Sequence, residues 1–494
     1  MMISACVIVK NEEKNLPRLL NSLRDKFKEI IVVDTGSTDK TVEIAKNFGC
    51  KIYGIKWSGF ADARNYAVSK ATGDWVWHFD ADFEIDDEEF LKAKRQLLLL
   101  DERYNSADVI IENYNIDGTI RSYSSHCFIH RNKPEIKWKG KVHEYLENAE
   151  LTFGLDVKVK HFGYEDDEVL RQKALRNIEL LKSEIEEMEK KNLDVLPEYA
   201  YKHFYLIQSY TVLGFSDSSY FEKVVEMAEK YFSLRGNLDE NNIFDVHVYT
   251  YIVEALIKLE RYEDARKYLE EAFKLKPYYA DYFYLKALLE EVTENYFIAF
   301  DSYCEFLAEI DGFMKTNPFG RLGGLTFLSD KAVHAYHIAS DKLLLLFEKL
   351  KKDKTKRDYL EKLWKKGRGL YTGIALSRIL KFLKEDEGSI LRKLYKLYSN
   401  HYLAYFEMGN YFLTKGEFDR AVKYLERSVE LNPNFIAAKA FLAYARMNLG
   451  ISDEKTLIDA VLSMKEYFEK TGNLSVLPAL KRCLFLLERL KTDK

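Results

Sequence analysis

The chain has no apolar run approaching the ~18 residues that a membrane-spanning helix needs. Its five cysteines, Cys6, Cys50, Cys127, Cys304 and Cys483, are scattered and odd in number. None forms a C-x-x-C pair, so neither a disulfide framework nor a zinc knuckle is indicated. A basic stripe is also missing, and the net charge of −4 carries no signature of nucleic-acid binding. The opening residues Met1 to Val9 are apolar but stop at Lys10, with no basic segment before them and no cleavage site. They read as a first β-strand rather than a signal peptide. Glutamine occurs three times against abundant Lys and Glu, the balance of heat-adapted chains. These absences describe a soluble, reduced, cytoplasmic protein whose 494 residues are enough for two to four domains.

What is present divides into two kinds of pattern. Residues 1 to about 165 alternate short β-rich runs (Ile3–Val9, Glu29–Asp34, Cys50–Ile55, Trp75–Phe79) with amphipathic stretches (Lys14–Lys26, Thr38–Phe48, Phe60–Lys70). Such alternation predicts a mostly parallel, helix-flanked sheet, whose ligands bind beyond the carboxyl ends of the strands. Lys10-Asn11-Glu12, Asp34 and Asp80/Asp82 all fall there. In Trp75-Val76-Trp77-His78-Phe79-Asp80-Ala81-Asp82 a hydrophobic strand ends in two acids one residue apart. Alternate residues of a strand share a face, and paired carboxylates persist most easily around a hard cation such as Mg²⁺ or Mn²⁺. A solvated turn is the plain alternative for D-x-D alone. After Asp101 come extended segments, Asp108–Asn115 and Ile120–His130, and an aromatic-rich stretch to His161.

From about Val169 the strand pattern ends. Leu170, Ala174, Ile178, Leu181, Ile185 and Met188 form one apolar stripe, predicting a connecting helix over 169–194. Then Tyr249, Ile252, Val253, Leu256, Ala265, Leu269, Ala272 and Pro277 follow the 34-residue tetratricopeptide spacing, and Ala299 continues it in register. Tyr405, Met408, Gly409, Phe412, Ala421, Leu425 and Pro433 repeat the template, and Tyr199–Leu234 reads as a degenerate first unit. The expected division is therefore 1–168, the connecting helix, repeats over 195–310, a helical region over 311–400 and C-terminal repeats over 401–494. The many Tyr and Phe of this half are core of stacked repeats. Lys351–Arg368, with nine basic and three acidic residues, reads as a solvated face rather than a membrane-binding patch.

Ile8-Val9-Lys10-Asn11-Glu12, Ile31-Val32-Val33-Asp34-Thr35-Gly36-Ser37-Thr38-Asp39-Lys40-Thr41, Phe60-Ala61-Asp62-Ala63-Arg64-Asn65 and Asp80-Ala81-Asp82 occur in this order at strand or helix boundaries. With these motifs, residues 3–165 resemble the family 2 glycosyltransferases. The resemblance implies an α/β GT-A fold, that of nucleotide-diphospho-sugar transferases, followed here by an all-α tetratricopeptide-like solenoid. The pairing of modules is similar to the subfamily that includes peptide S-glycosyltransferases of the sublancin type. It implies inverting sugar transfer from a nucleotide sugar, a UDP-sugar, with Mn²⁺ or Mg²⁺ as cofactor. Val9, Asn11, Glu12, Asp34, Arg64 and Asp80 would bind the donor, and Asp80 and Asp82 the metal. Asp34 can accept hydrogen bonds from uracil or ribose; Gly36 permits the tight turn after it, and Ser37 or Thr38 is expected to cap the next helix. Arg64 suits phosphate oxygens, with a surface ion pair to Asp62 as the plain alternative. Many relatives have Glu directly after the second Asp; here Phe83 intervenes before Glu84, whose role stays open.

Trp138-Lys139-Gly140-Lys141-Val142-His143-Glu144 and His161-Phe162-Gly163-Tyr164 match two further elements of relatives. Inverting transfer needs a base for the acceptor proton. Glu144 leads, with Asp117 and Glu112 behind it. His143 is read as a third metal ligand, as a support for Glu144 or as a structural histidine satisfied by the backbone, while His126, His130 and His161 read as structural histidines. The repeats would present a protein or peptide acceptor, or pair two copies of the chain as a homodimer. Two alternatives stand beside this reading: an enzyme that builds cell-surface polysaccharide or lipid-linked sugar, and a non-catalytic tetratricopeptide scaffold with a nucleotide-sensing head. A sugar nucleotidyltransferase is a third, disfavoured reading, because Lys10-Asn11-Glu12 offers no glycine-rich, arginine-bearing loop.

Overall fold

A computed structural model describes residues 1–114, 120–149, 151–163, 167–234, 243–316, 332–451 and 453–471, with Gly236, Leu480 and Leu484. Asp117 and Tyr164 lie outside the described residues. The sheet holds eight strands in the order β3-β2-β1-β4-β7-β6-β10-β5. These are β1 (Ile3–Val9), β2 (Glu29–Asp34), β3 (Lys51–Gly54), β4 (Trp75–Asp80), β5 (Phe83–Glu84), β6 (Ser106–Tyr114), β7 (Ile120–Arg131) and β10 (Thr152–His161). A separate hairpin pairs β8 (Lys137–Lys139) with β9 (Tyr145–Glu147).

β1 lies between β2 and β4, parallel to both, and all its residues except Ile8 are buried. A strand covered on both faces is mostly apolar; in Ile3–Val9 the exception, buried Ser4, donates its hydroxyl to the Glu29 carboxylate at 2.5 Å. The register sets Val9 beside Asp34 and Ile8 beside Asp80, so three chain segments reach the same edge. Beyond β4 the expected parallel pattern becomes mixed. β7 runs antiparallel to β4, β10 is parallel to β6, and β5 is antiparallel to β10. The two-residue β5 was not anticipated. It sets Phe83 opposite His161, immediately after Asp82.

Helices α1 (Leu16–Leu23), α2 (Thr41–Asn47), α3 (Phe60–Val68) and α4 (Asp87–Leu99) flank the sheet. In α1, Leu16, Leu19, Leu20 and Leu23 are buried at the spacing of one helical face, and Pro17 stands in the first turn, where its missing N–H costs nothing. Neither Ser37 nor Thr38 caps α2. The helix starts at Thr41, whose N–H donates to the Asp39 carboxylate at 3.0 Å, because the two hydroxyl residues are held by Asn11 instead. Helices α5 (Asp167–Lys190), α6 (Pro197–Gly214), α7 (Ser219–Ser233) and α8 (Ile243–Lys258) complete the compact unit that contains the sheet.

The second unit is helical, from α9 (Tyr262–Leu275) to α19 (Glu454–Thr471). α16 (Tyr402–Thr414) and α17 (Phe418–Leu431) show why repeats need small residues: a β-carbon on Gly409 would strike the Leu425 side chain, itself fully buried. In the basic segment, Lys356 is buried against Asp301 at 2.8 Å and Arg357 reaches Glu385 at 3.0 Å. Among the described residues no helix is long and apolar enough to cross a membrane.

Candidate functional site

The ends of β1 and β2 are tied by short polar contacts. The Val9 carbonyl accepts from the Thr35 N–H and hydroxyl at 3.0 and 3.1 Å. Asn11 adopts a left-handed conformation, φ +58°; its N–H donates to Ser37 Oγ and its Oδ1 accepts from the Thr38 N–H. The Asp34 carboxylate accepts from the N–H groups of Gly36 and Ser37, so part of its hydrogen-bonding capacity shapes its own loop. Glu12 donates its N–H to Thr41 Oγ1 at 2.7 Å and accepts from Asn15. Burial, and then the charges of Asp82 and Asp80, push its carboxyl above the ordinary range, although Asn15 and Lys173 oppose this. Glu12 therefore senses both acids of the D-x-D pair.

Arg64 is not a surface residue. It is 3% exposed; its Nε donates to Glu144 Oε1 at 2.6 Å and its Nη2 to Asp80 Oδ1 at 3.1 Å. The guanidinium also lies over the rings of Phe128 and Trp138, a favourable setting for a delocalised cation. Asp62, the partner in the alternative reading of Arg64 as a surface ion pair, accepts from Ser58. Burial alone would raise the Glu144 carboxyl, but the charge and hydrogen bond of Arg64 outweigh it and hold that group ionised, below its ordinary value. Behind Arg64, Trp138 Nε1 donates to His78 Nε2 at 3.1 Å, and His78 faces His130 at 3.2 Å, both rings fully buried. Burial, then the Arg64 charge, keep His78 neutral.

Asp82 is buried, with Oδ2 at 3.3 Å from His161 Nε2 and 3.9 Å from Lys173 Nζ. Burial opposes its ionisation, but His161 and Lys173 outweigh this and bring the carboxyl down to about 2. His161 Nδ1 is held by Asn113 Oδ1 at 2.6 Å. A β-carbon at Gly163 would collide with both the Asp82 carboxylate and the His161 ring, so only glycine lets the chain pass. Glu84 pairs with Lys160, and Glu112 with Lys158 at 2.8 Å, which occupies that candidate base.

The segment carrying Glu144 is gripped from two sides. Its Lys141 carbonyl accepts from the Phe60 N–H at the start of α3, while the Lys141 N–H and ammonium bind Glu184 and Glu187 of α5. His143 has φ +51°, and its ring stacks on Tyr205 of α6 with centroids 3.9 Å apart and planes 3° from parallel. Burial lowers the His143 imidazole to about 4, and its Nε2 is buried without a partner among the described residues.

Among the described residues Asp82 Oδ1 is a buried carboxylate oxygen with no partner, and the Asp80 side chain is 45% exposed with one oxygen on Arg64. Hard oxygen donors with capacity not taken up among the described residues, at one strand end, fit Mg²⁺ or Mn²⁺. Among the described residues no three His, Cys, Asp or Glu side chains already form a metal-binding cluster, so His143 is not gathered with the two aspartates into a preformed set.

Comparison with known proteins matches residues 4–171 to the Glycosyl transferase family 2 profile, and residues 246–279 and 402–435 to tetratricopeptide repeat profiles. The chain carries a family 2 glycosyltransferase domain and tetratricopeptide repeats. The prophage-derived glycosyltransferase SunS of Bacillus subtilis is 36% identical over 186 residues, 36% of this chain and 44% of that protein. A tetratricopeptide repeat-containing protein of Synechococcus elongatus is 33% identical over 177 residues, 33% of this chain and 43% of that one. The chain thus spans less than half the length of these curated relatives. Among solved structures, Staphylococcus aureus TarS is 21% identical with a TM-score of 0.28, covering 56% of this chain and 55% of that one. Mycobacterium tuberculosis glucosyl-3-phosphoglycerate synthase, solved with Mn²⁺ and UDP, is 23% identical with a TM-score of 0.20, covering 23% and 43%.

Within the glycosyltransferase domain, the structure brings Arg64, Asp80 and Glu144 into direct contact and ties Val9, Asn11, Glu12 and Asp34 into the adjoining strand-end loops. Sequence reasoning missed three neighbours. His161 was read as structural but binds Asp82, and the H-x-G-Y motif was the available signal. Lys173 and Tyr205 sit on helices that nothing in the one-dimensional pattern connects to the strand ends.

Proposed function

We propose that this protein is an inverting, divalent-metal-dependent glycosyltransferase that moves a sugar from a UDP-sugar to a side chain of a protein or peptide. The observation that carries the reading is Arg64, buried between Asp80 and Glu144 at the strand end where one Asp82 carboxylate oxygen has no partner among the described residues. Asp80 and Asp82 would hold Mn²⁺ or Mg²⁺, which when bound neutralises the charge that builds on the departing diphosphate. Asp34 and Asn11 shape the nucleotide end of the site. Glu144 is ionised, and Arg64 fixes its direction. It takes the proton of the acceptor as the acceptor's lone pair attacks the anomeric carbon and the bond from that carbon to the diphosphate breaks on the opposite side. Attack from that side inverts the anomeric centre. A chain-like acceptor is supported by the tetratricopeptide repeats, because stacked repeats offer extended concave surfaces.

The test uses the full chain with a panel of nucleotide sugars. Mn²⁺-dependent thermal stabilisation by UDP-sugars and slow release of UDP are expected, both lost in Asp82→Ala. Mass spectrometry of incubated peptides then identifies the acceptor. Metal-independent turnover that ignores Asp82→Ala would overturn the mechanism, and stabilisation by GDP-sugars instead would overturn the donor. Nucleotide-dependent partner binding without any release of UDP would favour the scaffold.

A further inference from the structure

Helix α5 does more than connect. Ala174, Ile178 and Leu181 form its buried face. Beside that face, Lys173, Arg176, Ser183 and Glu187 recur at steps of three, seven and four residues, with Glu184 next to Ser183 and three before Glu187, and so lie along one side of the helix. That side follows the candidate site. Lys173 reaches Asp82 at 3.9 Å; Arg176 lies over the Phe60 ring at 5.1 Å and feels the charge of Glu144; Glu184 and Glu187 hold Lys141. The hydrogen bonds of Arg176 run to the adjacent Asn177, at 3.3 and 3.0 Å, and among the described residues it makes no ion pair with a carboxylate. Its guanidinium thus keeps donors to spare, while Arg64 is already committed to two acids.

We propose that this side of α5 is the diphosphate-binding wall of the donor site, with Lys173 and Arg176 receiving the phosphate oxygens. The inference rests on the nucleotide-sugar reading above and names the side chains that hold its anionic part. Glu12, Asp80, Asp82 and Glu144 already crowd this strand end with negative charge, and a nucleoside diphosphate adds more. One divalent cation does not balance both sets, so further cations are needed close by. A guanidinium can bind phosphate through two parallel hydrogen bonds, and an ammonium can sit as a point charge beside it.

A purely neutralising role for these side chains makes a different prediction. Calorimetric titration of the full chain with Mn²⁺ alone, and with UDP in saturating Mn²⁺, separates the two. In Lys173→Gln and Arg176→Gln, UDP affinity should fall about ten- to hundredfold for each lost charge-assisted contact. Mn²⁺ alone should bind no more weakly, because a positive charge beside Asp82 has gone. Lys173→Arg should keep UDP binding. Unchanged UDP affinity, or UDP and Mn²⁺ affinities that rise together, would overturn the proposal while leaving the proposed function standing. A wild-type chain that binds Mn²⁺ but no nucleoside diphosphate would bring down the proposed function itself. Should the glutamine variants fail to fold, Arg176→Lys decides: a severalfold loss of UDP affinity is expected, and no loss refutes the assignment.

Discussion

Replacing Arg64 by methionine removes the cation that touches both Asp80 and Glu144. The two pairs are unequal. The Glu144 side chain is 11% exposed, whereas that of Asp80 is 45% exposed and its pairing is largely screened by water. Breaking a buried pair strands the remaining charge and costs about 3–5 kcal/mol, while the Asp80 pair adds at most ~1 kcal/mol. In a unit of this size that loss lowers the melting temperature by roughly 10 °C at neutral pH. The pH dependence gives a second reading. In the wild type the Glu144 carboxyl is depressed, so its contribution is present above the ordinary carboxylate range and is lost as pH falls through the folded value. Without Arg64, burial is left to raise that carboxyl, and the penalty exists at neutral pH but is relieved as acid protonates the group. The melting deficit of Arg64→Met should therefore shrink between pH 7.5 and pH 5. The double variant Arg64→Met/Glu144→Gln should recover most of the loss at pH 7.5, since a buried amide carries no charge. A deficit worth less than about 1 kcal/mol, or one that grows on acidification, would refute the view of Arg64 as the buried clamp.

Gly163→Ala should move Asp82 and His161 apart, because the added methyl meets both side chains. Overpacking of this kind costs about 1–3 kcal/mol, and Mn²⁺ affinity should fall with it; unchanged melting and unchanged Mn²⁺ titration would contradict the close approach. Burial lowers His130 to about 4, so the folded protein keeps it neutral where the unfolded chain takes up a proton. Its contribution is complete above about pH 6.5 and disappears as pH falls toward 4, amounting to about 3 kcal/mol. Denaturant unfolding of His130→Gln and wild type from pH 7 to pH 4 checks this: the variant should lose less stability on acidification, and parallel curves would disprove it.

The elements that could be read in advance are those with a local cause. β1 and β2 match their expected bounds to the residue, because strands covered on both faces need mostly apolar runs, and Ala5–Val9 and Ile30–Val33 supply them. The repeats were legible for a similar reason, since the two helices of a unit pack through small residues at fixed spacing, as Gly409 does on Leu425. The placement of Asp34 and Asp80 at one edge also followed, once β1, β2 and β4 were strands of one parallel sheet. Capping of α2 was misjudged because Ser37 and Thr38 had a competing partner, Asn11, 26 and 27 residues earlier in the chain. The antiparallel turn of the sheet at β7, and the pairing of β5 with β10, depend on contacts with sequence separations that no local pattern reports.

Composition and motif order sufficed for the kinds of domain present, the strand ends and the acids that crown them, because those depend on side-chain chemistry and on periods of two and 3.6 residues. Which charges meet was decided only when the chain closed on itself. Arg64 finds Glu144 across 80 positions, Lys173 arrives at Asp82 from the first helix after the glycosyltransferase strands, and Tyr205 stacks on His143 from the next helix. Such meetings depend on where rigid elements end in space, and low local dielectric then turns proximity into shifted proton affinities. A linear pattern carries the ingredients of that site; its electrostatics belong to the assembled fold.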